Sequence, residues 1–188
     1  MNKLIAAIIL LSLSPLTARA SSNLSLQPAL VASYTSEYNR DIAGAIRALK
    51  GVESTEGDSY IFNFRLGWLS YLAGLWNESV AYYDNAASLA PSALEPLQGM
   101  LQPLSAAGKT AELVKTHERI LQNDPNNYKS LSQLAWLNYT AKDNKKAARF
   151  YSRVIRLYPT DLEMLLGLAY SYKLDGNKEA ADRIFSQV

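Results

Sequence analysis

The chain has 188 residues, with 19 lysines and arginines against 17 aspartates and glutamates, one histidine and no cysteine. Without cysteine there is no disulfide framework, no thiol chemistry and no lipid-modified cysteine to anchor it. A charge this near balance lacks the basic footprint that nucleic-acid binding requires.

In chain order, Met1-Asn2-Lys3, an apolar run from Leu4 to Leu13 and an Ala18-Arg19-Ala20 exit predict a signal peptide over 1–20, cleaved after Ala20. The run is too short to remain as a membrane span. Lys3 and Arg19 fall inside it, so the remainder carries 17 basic against 17 acidic residues. Residues 21–29 are polar and unpatterned, and read as a flexible lead. Leu30, Tyr34 and Tyr38 fall at helical spacing, as do Ile42, Ile46 and Leu49 after an Asn39-Arg40-Asp41 turn. The spacing predicts a degenerate helix pair over 30–59, with Asp41 as an N-cap and Gly51 to Asp58 as a polar link.

From Tyr60 onward, features of different physical kind recur every 34 residues: Pro91, Pro125 and Pro159 form one series, and Gly74, Gly108, Lys142 and Gly176 another. Ser92-x-x-Glu95 and Thr160-x-x-Glu163 read as capping boxes at helix starts. The units are 60–93, 94–127, 128–161 and an incomplete 162–188, each a helical hairpin. Pro103 is expected to kink the first helix of 94–127. A fixed period of this length marks a repeat array.

The pattern resembles the tetratricopeptide repeat. Its carriers are Leu165-x2-Leu168-Ala169-x2-Tyr172 with Ala181-x3-Phe185, and Leu131-x2-Leu134-Ala135 with Ala147-x3-Tyr151 and Pro159. Unit 60–93 adds Leu66-Gly67, Ser79-x3-Tyr83 and Pro91. The family's tryptophan is replaced by Asn63, Leu97, Leu131 or Leu165, and 94–127 matches least well. The resemblance implies an all-α fold, a right-handed α-solenoid of stacked antiparallel helix pairs. It also implies a binding scaffold, and with the signal peptide a periplasmic rather than secreted bacterial protein.

In this family the ninth residue of each repeat faces a concave groove. Here that series is Tyr34, Trp68, Gln102, Trp136 and Tyr170, four of them aromatic. Phe64, Tyr71 and Tyr139 sit beside it at helical spacing. These eight are the candidate partner-binding residues, since each aromatic ring can bury ~150–250 Å² on contact. The competing expectation is that the rings pack on one another and meet no ligand. A basic stripe, Lys142, Lys145, Lys146, Arg149, Arg153 and Arg156, is expected on the outer helix of the fourth unit, either a solvated convex face or a secondary site for an anionic envelope component or an acidic partner.

His117 stands where Tyr83, Tyr151 and Phe185 stand in other units, which reads as packing. One histidine without cysteine makes no metal site, no cofactor is implied, and no nucleophile or phosphate-binding motif is present. The functional expectation is a non-enzymatic exported adaptor that holds a protein or peptide in its groove and helps assemble an envelope complex. The alternatives are a carbohydrate-binding module using the aromatic stripe and a helical accessory region of a cell-wall enzyme. Ile184, Phe185 and Val188 end the array without a polar cap, so self-association through that end is a further expectation.

Overall fold

A computed structural model describes residues 15–188, with side chains from Leu26 onward, and shows eleven α-helices and no strand among the described residues. The helices come in antiparallel pairs: α1 (Pro15–Tyr38) with α2 (Ile42–Lys50), α4 (Tyr60–Leu72) with α5 (Trp76–Leu89), α6 (Glu95–Ala106) with α7 (Thr110–Asn123), α8 (Tyr128–Thr140) with α9 (Asn144–Leu157), and α10 (Leu162–Leu174) with α11 (Lys178–Phe185). A single turn, α3 (Glu53–Glu56), lies between the first two pairs.

The turn inside each pair is built identically. Arg40, Gly74, Gly108, Lys142 and Gly176 all have positive φ, between 63° and 84°. The following residue donates its N–H five positions back: Asp41 to Ser36, Leu75 to Ser70, Lys109 to Leu104, Asp143 to Asn138 and Asn177 to Tyr172, at 2.8–2.9 Å. This geometry closes the orphan carbonyls of the first helix and reverses the chain. Arg40 therefore belongs to the 34-residue series, and the first pair is in phase with the rest. Asp41, Asp143 and Asn177 then cap the second helices by accepting from Gly44, Lys146 and Ala180.

The first helices start differently from the sequence expectation. Asp161, not Thr160, caps α10, accepting the Met164 N–H at 3.2 Å. No side chain caps α6: it begins behind Leu94, with Pro96 presetting its first turn, and Ser92 lies too far upstream. Helix α6 continues unbroken through Pro103 to Ala106, and Pro103 is buried. Residues 1–14 of the expected signal segment lie outside the described residues. Helix α1 runs through 21–29, read above as a lead, because Leu26 and Ala29 dock against Ala45, Leu49 and Leu66. The expected link from Gly51 to Asp58 also contains structure, namely α3. Asn63, at the tryptophan position, holds it by donating to the Gly57 and Ser59 carbonyls at 2.6 and 2.9 Å.

Packing propagates from pair to pair. Helix α5 meets α6, α7 meets α8 and α9 meets α10, while first helices α4 and α6, and α8 and α10, also touch. Three apolar clusters follow the chain, around Leu49 and Leu66, around Leu97 and Ile120, and around Leu131 and Val154. Each fully buried leucine contributes about 1.5–3 kcal/mol.

From the second pair onward, one ring sits at the centre of each junction, while the first pair has Leu49 at that position. Tyr83 is clamped between Gly67 of its own pair and Gly99 of the next: a β-carbon on either glycine would lie 2.8 or 2.6 Å from the ring. Tyr151 meets Gly167 of the next pair in the same way. His117 occupies this position in the third pair, where Leu101 and Gln133 stand in place of the two glycines. It is 2% exposed, with Nδ1 3.1 Å from Ser130 Oγ.

Burial, reinforced by Lys129, lowers the His117 pKa from 6.5 to about 4. The unfolded chain takes up a proton near pH 6.5 that the folded chain refuses until about pH 4, so this site weakens the fold as pH falls through that window. Urea midpoints measured from pH 7 to pH 4 should show wild type losing on the order of 1–2 kcal/mol more than His117→Gln, after allowing for solvent screening. Parallel acid losses in the two proteins would place the imidazole in solvent.

Candidate functional site

The ninth-position series lies on the first helices, and each member is exposed: Tyr34 by 56%, Trp68 by 39%, Trp136 by 53% and Tyr170 by 45%, with Gln102 also exposed. Each rests on specific neighbours. Tyr34 lies over the Arg65 guanidinium, 3.8 Å from carbon to ring centre. Trp68 stacks near Tyr71 (5.9 Å), which in turn meets Trp76 (5.5 Å). Trp136 lies nearly parallel to Tyr139 at 6.1 Å, and Tyr170 meets the Phe185 ring edge-on at 5.3 Å. The rings are thus supported from beneath while an outer surface stays in water.

Phe64 is half-buried, stacked on Tyr60 at 5.8 Å and set edge-on to Tyr83 at 5.5 Å, so part of its ring packs against the second apolar cluster. Tyr139 is also half-buried, with one side against the cluster around Leu131.

At the N-terminal end, a charged pair underlies the stripe. Arg65, 6% exposed, donates Nε–H to Ser33 Oγ at 3.2 Å, and its Nη2 lies 2.5 Å from Glu37 Oε2. That last contact is a charge pairing whose angle is not that of a hydrogen bond. Glu37 Oε1 accepts the Trp68 indole N–H at 2.7 Å. Burial pushes the Glu37 pKa up, but the hydrogen bond from Trp68 and the Arg65 charge together hold it below the usual carboxylate value. The pair fixes Tyr34 and Trp68 relative to each other across α1 and α4.

Towards the other end a recess of about 410 Å³ opens between α8 and α10, lined by Tyr128, Ser132, Gln133, Trp136 and Glu163, with Tyr151 at its back. Tyr128 donates to Asp161 at 2.8 Å across the junction, and this bond with partial burial raises the phenol pKa to about 12. Ser132 lies one helical turn before Trp136, the signal that would have found it. Glu163 was read above as a capping residue, so its place in the recess was missed.

The basic stripe divides. Lys142 forms the positive-φ turn, and Lys146 pairs with Asp143 at 3.1 Å. Lys145, Arg149, Arg153 and Arg156 share one groove. At the end of the array, Ile184 and Phe185 are half-buried and Val188 is 53% exposed. Among the described residues no cluster of three or more His, Cys, Asp or Glu is placed to hold a metal, and no helix is long and apolar enough to cross a membrane.

Residues 129–161 match the family model for the tetratricopeptide repeat. No curated protein matches the chain. Similar solved structures include MamA, 15% identical with a TM-score of 0.67, covering 89% of this chain and 90% of that one. A tetratricopeptide repeat protein from Parabacteroides merdae ATCC 43184 is 20% identical with a TM-score of 0.68, covering 87% of this chain and 65% of that one. YrrB, described as a TPR protein with an unusual peptide-binding site, is 10% identical with a TM-score of 0.66, covering 92% and 90%. At these identities the likeness is one of fold.

Replacing Glu37 by Gln leaves the Arg65 charge buried without its partner. Thermal or urea unfolding should show a loss of roughly 2 kcal/mol, below the range for a wholly buried pair because a quarter of the Glu37 side chain is in water. Because the Glu37 pKa is lowered on folding, the pair's stabilisation holds above about pH 4.5 and is lost as pH falls through the folded value. A Glu37→Gln variant as stable as wild type, with unchanged Trp68 emission, would remove the pair from the site.

Proposed function

We propose that this tetratricopeptide-repeat protein is a non-enzymatic scaffold that holds an extended segment of a partner protein along the exposed faces of its first helices. The observation that carries the reading is the ninth-position series, in which four aromatic rings on four different first helices keep an outer surface in water. Large apolar rings in register are a common basis of affinity, because each desolvates a wide area at small entropic loss. Gln102 lies between Trp68 and Trp136 and offers a side-chain amide to the partner's backbone. YrrB supports the reading by analogy of fold. The signal-like segment over 1–20 supports export, and with it a role in assembling an envelope complex in the periplasm.

Affinity capture from periplasmic extract with the protein as bait, followed by calorimetry with the recovered partner, tests this reading. The bait isolated from that compartment should begin at Ser21. Trp68→Ala and Trp136→Ala should each weaken the partner by about tenfold or more, as expected for removal of a central aromatic anchor. Binding indifferent to both substitutions contradicts the groove. An oligosaccharide that shifts tryptophan emission where no protein binds would make the stripe a carbohydrate site instead.

A further inference from the structure

The cations of α9 lie along a groove. Lys145, Arg149, Arg153 and Arg156 form one wall of a groove of about 510 Å³, and Tyr172 and Asp175 at the end of α10 form the other. Among the described residues, none of the four cations lies within 4.0 Å of a carboxylate oxygen. Arg153 is half-buried with its Nη2 donating to the Pro125 carbonyl at 2.8 Å, while the other three are exposed.

A groove with an equivalent second-helix wall occurs two repeats earlier, where α5, α6 and α7 enclose about 390 Å³. Asn77, Val80, Ala81 and Asp84 there correspond to Lys145, Ala148, Arg149 and Ser152. Most of the charges of that earlier groove are paired: Arg119 lies 2.6 Å from Asp84 and Lys109 3.3 Å from Glu112, with Lys115 as the remaining cation of its lining. Helix stacking therefore does not require a row of cations. At the later junction the acid is replaced by Ser152 and a neutral residue by Arg149, which places like charges one turn apart, an arrangement unfavourable in the free helix.

We propose that the groove between α9 and the end of α10 is a second docking site, which takes an acidic segment of a partner protein. It lies on the second-helix side of the solenoid and does not rest on the reading of the aromatic stripe. Three of its four cations are arginines, whose planar fork pairs with a carboxylate through two parallel hydrogen bonds. From Lys145 to Arg156 the helix rises roughly 16 Å, the length of about five extended residues. The segment so recognised carries three or four carboxylates over about five residues. Asp175 repels a further acid at its own end and so sets the direction of the segment. A recess between two helices suits a single chain better than a flat anionic bilayer.

Fluorescence anisotropy with a labelled octapeptide of glutamate and aspartate tests the site on the full chain. The expected result is binding that weakens steeply with salt and falls at least tenfold in Arg149→Gln/Arg156→Gln, with circular dichroism unchanged. Lys115→Gln, in the earlier groove, and Trp136→Ala should leave it unchanged. Equal losses in Lys115→Gln and in the double variant would show non-specific charge attraction and overturn the site. So would binding to phosphatidylglycerol vesicles, lost in the double variant, by a protein that does not bind the peptide. If Arg149→Gln/Arg156→Gln unfolds the chain, amide shift mapping on the wild type decides: peptide-induced shifts confined to α9 and Tyr172–Asp175 support the site, and shifts spread over all basic residues overturn it.

Discussion

The structure depends on one contact, a side-chain ring pressed between the first helices of two successive pairs. Tyr83 lies where no β-carbon fits at Gly67 or Gly99, and Tyr151 meets Gly167 in the same way. A ring in that position does two things. It fills the space between neighbouring pairs at interior density, and it permits only one offset of one first helix against the next, since a slip would drive a side chain into the ring. The turns at Arg40, Gly74, Gly108, Lys142 and Gly176 are the local counterpart: they give every pair the same reversal, so one ring contact can serve at successive junctions.

The proposed function rests on that fixed offset. With the first helices held in one register, the ninth residues of successive pairs present the same face, and Tyr34, Trp68, Trp136 and Tyr170 become a series rather than four isolated rings. The Glu37–Arg65 pair reinforces this at the N-terminal end, where the first pair lacks a ring at the position of Tyr83. On the second-helix side the same offset creates grooves at equivalent places, and small substitutions decide whether a groove neutralises itself or stays charged. Asp84 against Ser152 is such a difference.

The sequence announced what is local and periodic. Turn glycines, closing prolines and alternating small and large residues recur with the hairpin, so its 34-residue period was legible from 60 onward. Arg40 escaped notice in the series because its unit has neither a turn glycine nor a closing proline to mark the phase, the proline position being Gly57. Helix starts were misread where an acid next to the helix, Asp161, outcompeted a hydroxyl one residue further away. The candidate site was legible as a list but not as a surface. Phe64 has the spacing of a groove residue, yet part of its ring packs against Tyr83, distant in sequence. The Arg65–Glu37 pair and both second-helix grooves join residues from different pairs and carry no mark in either alone.

The central claim is that the ring and the glycines facing it act as one unit. A double-mutant cycle on Tyr83→Leu and Gly99→Ala measures it directly by urea unfolding. The account predicts that Gly99→Ala is destabilising by about 1–3 kcal/mol beside the tyrosine and nearly neutral beside leucine, a coupling of at least ~1 kcal/mol. Losses that simply add would mean that the ring and the glycine do not touch in solution, and the register that aligns the aromatic series would lose its physical basis.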